Sequence, residues 1–346
     1  MKRQRQRTDA SHPRPLRRGV LLAMLIVGLL MGGGLFLLFS DARDNHAEAA
    51  TSRLQLDDIK EHFDGARAFE YLRQICAIGP RRSGSPGMAE QQKLLTEHFR
   101  KLGAEVELQR FTAPDPRDGQ RVAMANLIVR WLPKEKERVL LCAHYDTLPF
   151  PMRDPDDPKG RFIGANDGGS GVALLMELGN QMAKIKPKYG VDFVFFDAEE
   201  YIFEPNDRFF LGSEFFARQY RDNPRDFRYR WGVLLDMIGD KDLQIYQERN
   251  SMWWRDTRPL VKDLWATAQR LGVREFIPRQ RHEMRDDHLP LHNIAGIPTC
   301  DVIDYDYPDG FQNRYWHTTS DTLDRCSALS LAKVGWVVAE WLKIAR

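Results

Sequence analysis

Two histidines and five carboxylates stand at positions in this chain where a reactive site could be assembled. His144 and Asp146 follow the apolar run "RVLLCA", and Asp167 sits in "GANDGGSG" just ahead of a helical pattern. Glu199 and Glu200 close "VDFVFFDAEE", Asp236 follows "WGVLL", and His317 lies in "NRYWHTTSD", a polar, turn-like stretch poorly suited to a packed core histidine. Nitrogen and oxygen donors with no cysteine among them suit zinc that keeps an exchangeable position for water. The H-x-D spacing has its own logic, because alternate residues of a strand share a face and Asp146 can then hold the second ring nitrogen of His144. Adjacent acids at a strand end point differently, so one of Glu199 and Glu200 can bind metal while its neighbour stays a free base.

The elements that must position these residues are legible as alternating short apolar runs and amphipathic stretches. "RVLLCAHYD", "VDFVFFDAEE", "WGVLLDMIGD" and "GIPTCDVID" read as buried strands. "SPGMAEQQKLLTEHFRKLG" reads as a helix with Ser85 as N-cap, Pro86 at its first position and a stop at Gly103; "GSGVALLMELGNQMAKI", "PLVKDLWATAQRLG" and "SALSLAKVGWVVAEWLKIA" read as three more. Continuous apolar strands separated by helices predict an α/β fold of three layers, a mostly parallel twisted sheet with helices on both faces. Ligands in such sheets bind outside the carboxyl ends of the strands, where the seven residues fall.

The ordered set "AHYDT", "GANDGGSGVALLMEL", "FFDAEE", "FLGSEFFA", "LLDMIG" and "YWHTTSD" resembles the zinc-dependent aminopeptidase and glutaminyl cyclase superfamily over most of residues 60–346. "RDDHLPL" followed by "GIPTCDVI", the tryptophan before His317 and the early "GPRRSGSPG" resemble the glutaminyl cyclase branch in particular. The resemblance implies that Asp167, Glu200 and His317 hold a catalytic zinc and that Glu199 is the general acid/base. It implies that His144 and Asp236 complete a second position in two-zinc members, with Asp167 bridging, so that one or two zinc ions are expected. Asp236 counts with Glu199 and Asp286 among the catalytic acids: Asp286 matches a cyclase residue that hydrogen-bonds near the reacting centre, and Trp316 matches the wall of the substrate pocket. The loop "YIFEPNDRF" after Glu200 departs from the pattern by lacking the aromatic expected there. The implied activity is conversion of the N-terminal glutamine of peptides to pyroglutamate with release of ammonia. The alternative is hydrolysis of N-terminal residues from peptides, and both use peptide or protein N-termini as substrate. A binding module on the same fold is the third reading, and the complete ligand set with Glu199 argues against it.

The first fifty residues differ from the rest. An uncharged apolar run from Gly19 to Phe39 is long enough for a bilayer core, which takes about 20 residues. Before it stand Lys2, Arg3, Arg5, Arg7, Arg14, Arg17 and Arg18 against Asp9. The predicted organisation is a basic cytoplasmic tail (1–18), a transmembrane signal-anchor (19–39), a tether (40–55) and a zinc-dependent catalytic domain (56–346) outside the cytoplasm. "AEA" at Ala47–Ala49 leaves a cleaved signal peptide as the alternative. The whole chain carries a net charge of only +2, so the part after the basic tail is slightly acidic and nucleic acid is excluded as a partner. Cys76, Cys142, Cys300 and Cys326 are scattered with no CxxC pair, which excludes a zinc ribbon. His282, His288 and His292 lie close together, with Asp287–His288 reading as a loop brace rather than a metal pair, and Trp253–Trp254 reads as a surface or core aromatic pair.

Overall fold

The structure, a computed structural model, describes residues 54–309 and 312–345. The expected tail, anchor and nearly all of the tether lie outside the described residues. Among the described residues no helix is long and apolar enough to cross a membrane.

The elements run α1 (Leu56–Ile59), α2 (Gly65–Ile78), α3 (Pro86–Lys101), β1 (Glu105–Pro114), β2 (Arg121–Trp131), β3 (Glu137–His144), α4 (Ser170–Ile185), β4 (Gly190–Phe196), α5 (Leu211–Asp222) and β5 (Arg228–Asp236). They continue with β6 (Ile245–Glu248), α6 (Arg249–Trp253), α7 (Arg258–Leu271), β7 (Phe276–Arg281), α8 (His288–Asn293), β8 (Thr299–Ile303), the short ribbon β9 (Pro308–Asp309) and β10 (Gln312–Asn313), and α9 (Ala328–Ile344). Local chemistry sets the helix ends. Ser85 Oγ accepts from the Met88 N–H at the start of α3, Ser327 caps α9 in the same way, and Gly272 ends α7 in a left-handed conformation.

The main sheet has the order β1-β2-β4-β3-β5-β8. Pairings β4–β3, β3–β5 and β5–β8 are parallel, whereas β2 joins β4 and β1 joins β2 antiparallel. The expected mostly parallel sheet therefore describes four of the strands, and an antiparallel pair extends one edge. Alternation along each strand divides the core in two. Leu127, Val139, Leu141, Phe193 and Phe195 face α2, α3, α4, α7 and α9, while Ile128, Leu140, Val194 and Leu234 face α5 and α8. Each such side chain, removed from water, contributes about 1.5–3 kcal/mol. Buried Arg138 on β3 ties the antiparallel edge to the parallel half, pairing with Asp192 of β4 and donating to the Trp131 and Leu132 carbonyls. All four cysteines are free.

Candidate active site

Of the four parallel strands of the main sheet, three end in a residue of the expected set or within three residues of one. His144 is the last residue of β3 and Asp236 the last of β5; Glu199 and Glu200 follow β4, and His317 comes from the long loop after β8. Asp167 precedes α4. Its loop depends on Gly168, at φ +76, where a Cβ would lie 2.4 Å from the Asp146 carbonyl oxygen and 3.0 Å from the His144 ring.

Asp167 stands between two groups of donors. Its Oδ1 is 3.1 Å from His144 Nε2, which is also 3.2 Å from Asp236 Oδ1. Its Oδ2 is 3.5 Å from His317 Nε2, which lies 3.1 Å from Glu200 Oε2. A tetrahedral zinc with nitrogen and oxygen donors at about 2.0–2.2 Å leaves those donors about 3.3–3.6 Å apart, close to the separations here. His144, Asp167 and Glu200 also offer donor atoms that all lie within 4.8 Å of one another. Asp167 Oδ2 and Glu200 Oε2 are buried with no hydrogen-bond partner, an arrangement that is costly unless a cation meets them. The residues fit zinc.

The candidate donors are held by a second ring of contacts. Asp321 accepts from the backbone N–H of Asn166 and Asp167 at 2.9 and 3.1 Å and from the Tyr307 hydroxyl at 2.8 Å. Glu200 Oε1 accepts from the Leu148 N–H. Arg153 N–H donates to the His317 carbonyl, and Asp154 accepts from both the backbone and the hydroxyl of Thr319. Asp146 departs from expectation. Its oxygens accept from the Glu199 and Glu200 backbone N–H at 3.0 and 3.2 Å, while its distance to His144 Nδ1 is 3.6 Å, beyond a hydrogen bond. Asp146 thus positions the paired glutamates more directly than the imidazole. Ala198, Met237 and His317 all have positive φ (59°, 49° and 59°), so the backbone is strained next to Glu199, next to Asp236 and at His317 itself.

Electrostatics separate the roles. Burial, aided by Arg153 and opposed by Asp167, lowers the His317 pKa to about 4, which leaves a neutral ring with a lone pair for metal. Burial, reinforced by neighbouring carboxylates, raises Glu199 and Asp286 well above the usual carboxylic range. Both line one cavity of about 340 Å³ together with Asp167, Glu200, Asp236 and His317. Trp316 forms part of its wall, 4.0 Å from the His317 ring centroid and beneath the Arg153 guanidinium. Phe209 and Phe210 line it as well, so aromatic rings reach the cavity from the end of the loop whose start departs from the expected pattern. The loop folds back on itself through Phe210 N–H to the Glu199 carbonyl, so residues ten positions downstream reach the site. Asp321, Tyr305 and Met237 were also unassigned from sequence; for Asp321 the only signal was its place in "YWHTTSD".

His288, read from sequence as a loop brace with Asp287, opens α8 and is fully buried between Glu248 (3.5 Å) and Asp301 (3.8 Å). His292 stacks on Trp254 at 3.7 Å, and Trp253 is exposed.

A three-layer α/β fold with a carboxylate shared between two imidazole-carboxylate groups at its strand ends defines a zinc-dependent enzyme of the exopeptidase and cyclase type. The sequence profile of peptidase family M28 matches residues 126–342, and the chain belongs to that family. A glutaminyl cyclase structure from Fimbriiglobus ruber is 38% identical, with a TM-score of 0.77, covering 82% of this chain and 96% of that one. A Zn-dependent exopeptidase structure from Parabacteroides distasonis is 30% identical, with a TM-score of 0.75 over 82% and 99% of the two chains. The glutaminyl-peptide cyclotransferase of Bos taurus is 26% identical over 298 residues, 76% of this chain and 79% of its own length.

Proposed function

We propose that the protein is a glutaminyl-peptide cyclotransferase, converting the N-terminal glutamine of peptides to pyroglutamate with release of ammonia. The observation that carries this reading is a second buried acid, Asp286, facing the same aromatic-walled cavity as Glu199. Asp167, Glu200 and His317 would hold the zinc, which when bound would supply Lewis-acid polarisation of an amide carbonyl. Glu199 takes a proton from the peptide's α-amine as that nitrogen bonds to the side-chain carbonyl carbon. The same proton goes to the side-chain nitrogen as its C–N bond breaks, and ammonia leaves. A carboxyl with a raised pKa suits both halves of this exchange. Asp286 faces the same exchange and steadies the moving protons, while Trp316, Phe209 and Phe210 wall the glutaminyl chain and keep water out.

Aminopeptidase activity is the second reading, favoured by the completeness of the other donor group, His144, Asp236 and Asp167 Oδ1. The test is incubation of the full chain, zinc-loaded, with an N-terminal glutaminyl peptide and with aminoacyl amides, the products read by mass. Loss of ammonia alone supports the cyclase; release of the first residue supports the aminopeptidase.

We also propose that residues 19–39 anchor the chain, with 1–18 in the cytoplasm and the catalytic domain (56–346) outside it. The support is the uncharged run behind seven basic residues. Full-length protein should fractionate with membranes and expose its catalytic domain to protease added on the far side. A soluble mature chain starting near Ala50 would overturn the anchor.

A further inference from the structure

His282 lines the same cavity as Glu199 and Trp316, yet it belongs to neither donor group and has no part in the proton exchange. Its backbone is at φ +48, a conformation that a non-glycine residue holds only when its surroundings impose it. The surroundings are specific. Arg249 N–H donates to the His282 carbonyl at 3.0 Å, and the ring Nε2 is 2.8 Å from Oδ1 of buried Asp306. The other Asp306 oxygen is 2.8 Å from the Arg281 guanidinium, so the carboxylate is fixed from both sides. The His282 ring meets Tyr305 edge to face at 5.2 Å, and Tyr305 meets Trp316 in the same way at 5.3 Å. A carboxylate only accepts, so Nε2 carries the proton. Burial lowers the pKa of the ring, with Arg281 and Arg249 adding to that effect against Asp306, and the ring is neutral near pH 7. A neutral ring with its proton on Nε2 has one polar function left, an acceptor lone pair on Nδ1.

The reacting atoms of a glutaminyl peptide are served by zinc, Glu199 and Asp286. What the rest of a bound peptide brings near them is a backbone N–H, that of its second residue, present in every peptide except before proline. We infer that His282, held in one tautomer by Asp306, is a specificity-determining residue that accepts a hydrogen bond from the backbone N–H following the substrate's N-terminal residue. This rests on the reading of the site as acting on peptide N-termini, and it gives a role to a ring that Asp306 orients beside Tyr305 and Trp316 in the cavity wall.

The test compares glutamine N-butylamide with glutamine butyl ester, which differ at the N–H, on the zinc-loaded full chain. The parent should favour the amide by about 3- to 10-fold in KM, the range of one net hydrogen bond. His282→Phe keeps a ring against Tyr305 and should abolish the preference while leaving kcat nearly unchanged. His282→Asn can donate to Asp306, accept from the substrate and tolerate positive φ, so it should retain most of the preference. An unchanged amide-to-ester ratio in His282→Phe, or an equal loss of kcat on both substrates, would overturn the inference. Failure of the cyclase reading is seen separately, as release of butylamine or butanol instead of ammonia, and the KM comparison stands in either case.

Discussion

His317 and His144 approach the same carboxylate from opposite sides, and their settings are opposed. His317 comes from a loop at strained φ, where burial above all lowers the pKa of its ring, beside a glutamate whose other oxygen is fixed by a backbone N–H. His144 ends a strand, and although burial disfavours its charge, the surrounding Asp146, Asp167 and Asp236 raise its pKa well above the usual value. Burial favours a bare lone pair on one ring, whereas the acids around the other favour the proton that a metal would displace. On the proposed assignment the His317 group is the half of the site prepared for metal, and the His144 group is the half that would distinguish one metal from two.

His317→Ala should have the largest effect, because it removes the prepared nitrogen ligand. Zinc content and turnover should fall together, by more than the about 10- to 100-fold that loss of an outer partner costs. Equal loss of all metal in His317→Ala and His144→Ala would break the comparison. Next comes Asp321→Asn, which touches no donor atom but loosens the clamp on Asn166 and Asp167. Zinc affinity should drop about 10- to 100-fold in a chelator competition, with the circular dichroism spectrum unchanged. His144→Ala is smaller again in a one-zinc cyclase: metal near one per chain and much of the activity retained. Loss of one of two zinc ions and most turnover would instead place the protein with the two-metal peptidases.

How much of this was legible in the chain follows from burial. The strands β3, β4, β5 and β8 are covered on both faces, so their sequences are continuous apolar runs that announce themselves, and the site residues follow from their ends. β1 is exposed or half-exposed along most of its length, and its alternation of polar with apolar residues slips at Gln109–Arg110, so it lacks the continuous apolar run that marks the buried strands. That edge bears no donor, yet it orients the site. Asp197, just before the paired glutamates, accepts from the Ala125 N–H of β2 at 2.8 Å and from Ser83 at 2.7 Å. The clamps were illegible for a related reason. Spacing linked Asp146 to His144, its neighbour but one, whereas the stronger partners are backbone groups 53 and 54 residues away. Phe209 and Phe210 reach the cavity only through a loop closure that has no periodic signal.

An effect on the fold rather than on turnover separates site from scaffold. Glu248, outside the two donor groups, is buried, which works against its charge, but His288 and the N–H groups of Ser251 and Asn250 outweigh that and lower its pKa to about 2. A depressed acid stabilises the fold above its unfolded pKa, near 4.5, and loses that contribution as pH falls toward 2. Glu248→Gln should thus be less stable than the parent near pH 7 by roughly 3 kcal/mol, and the gap should close between about pH 4.5 and pH 2 in urea denaturation. A gap independent of pH would place the acid sensitivity elsewhere.

The central claim is that Glu199 carries the proton at a zinc site it does not help to hold, and the direct measurement is turnover and zinc content together in Glu199→Gln. Glutamine keeps the shape of the side chain but cannot accept the proton. The account predicts parental zinc and turnover reduced about 10²- to 10⁴-fold, the usual effect of losing a positioned general base. Near-parental turnover with zinc intact would contradict it.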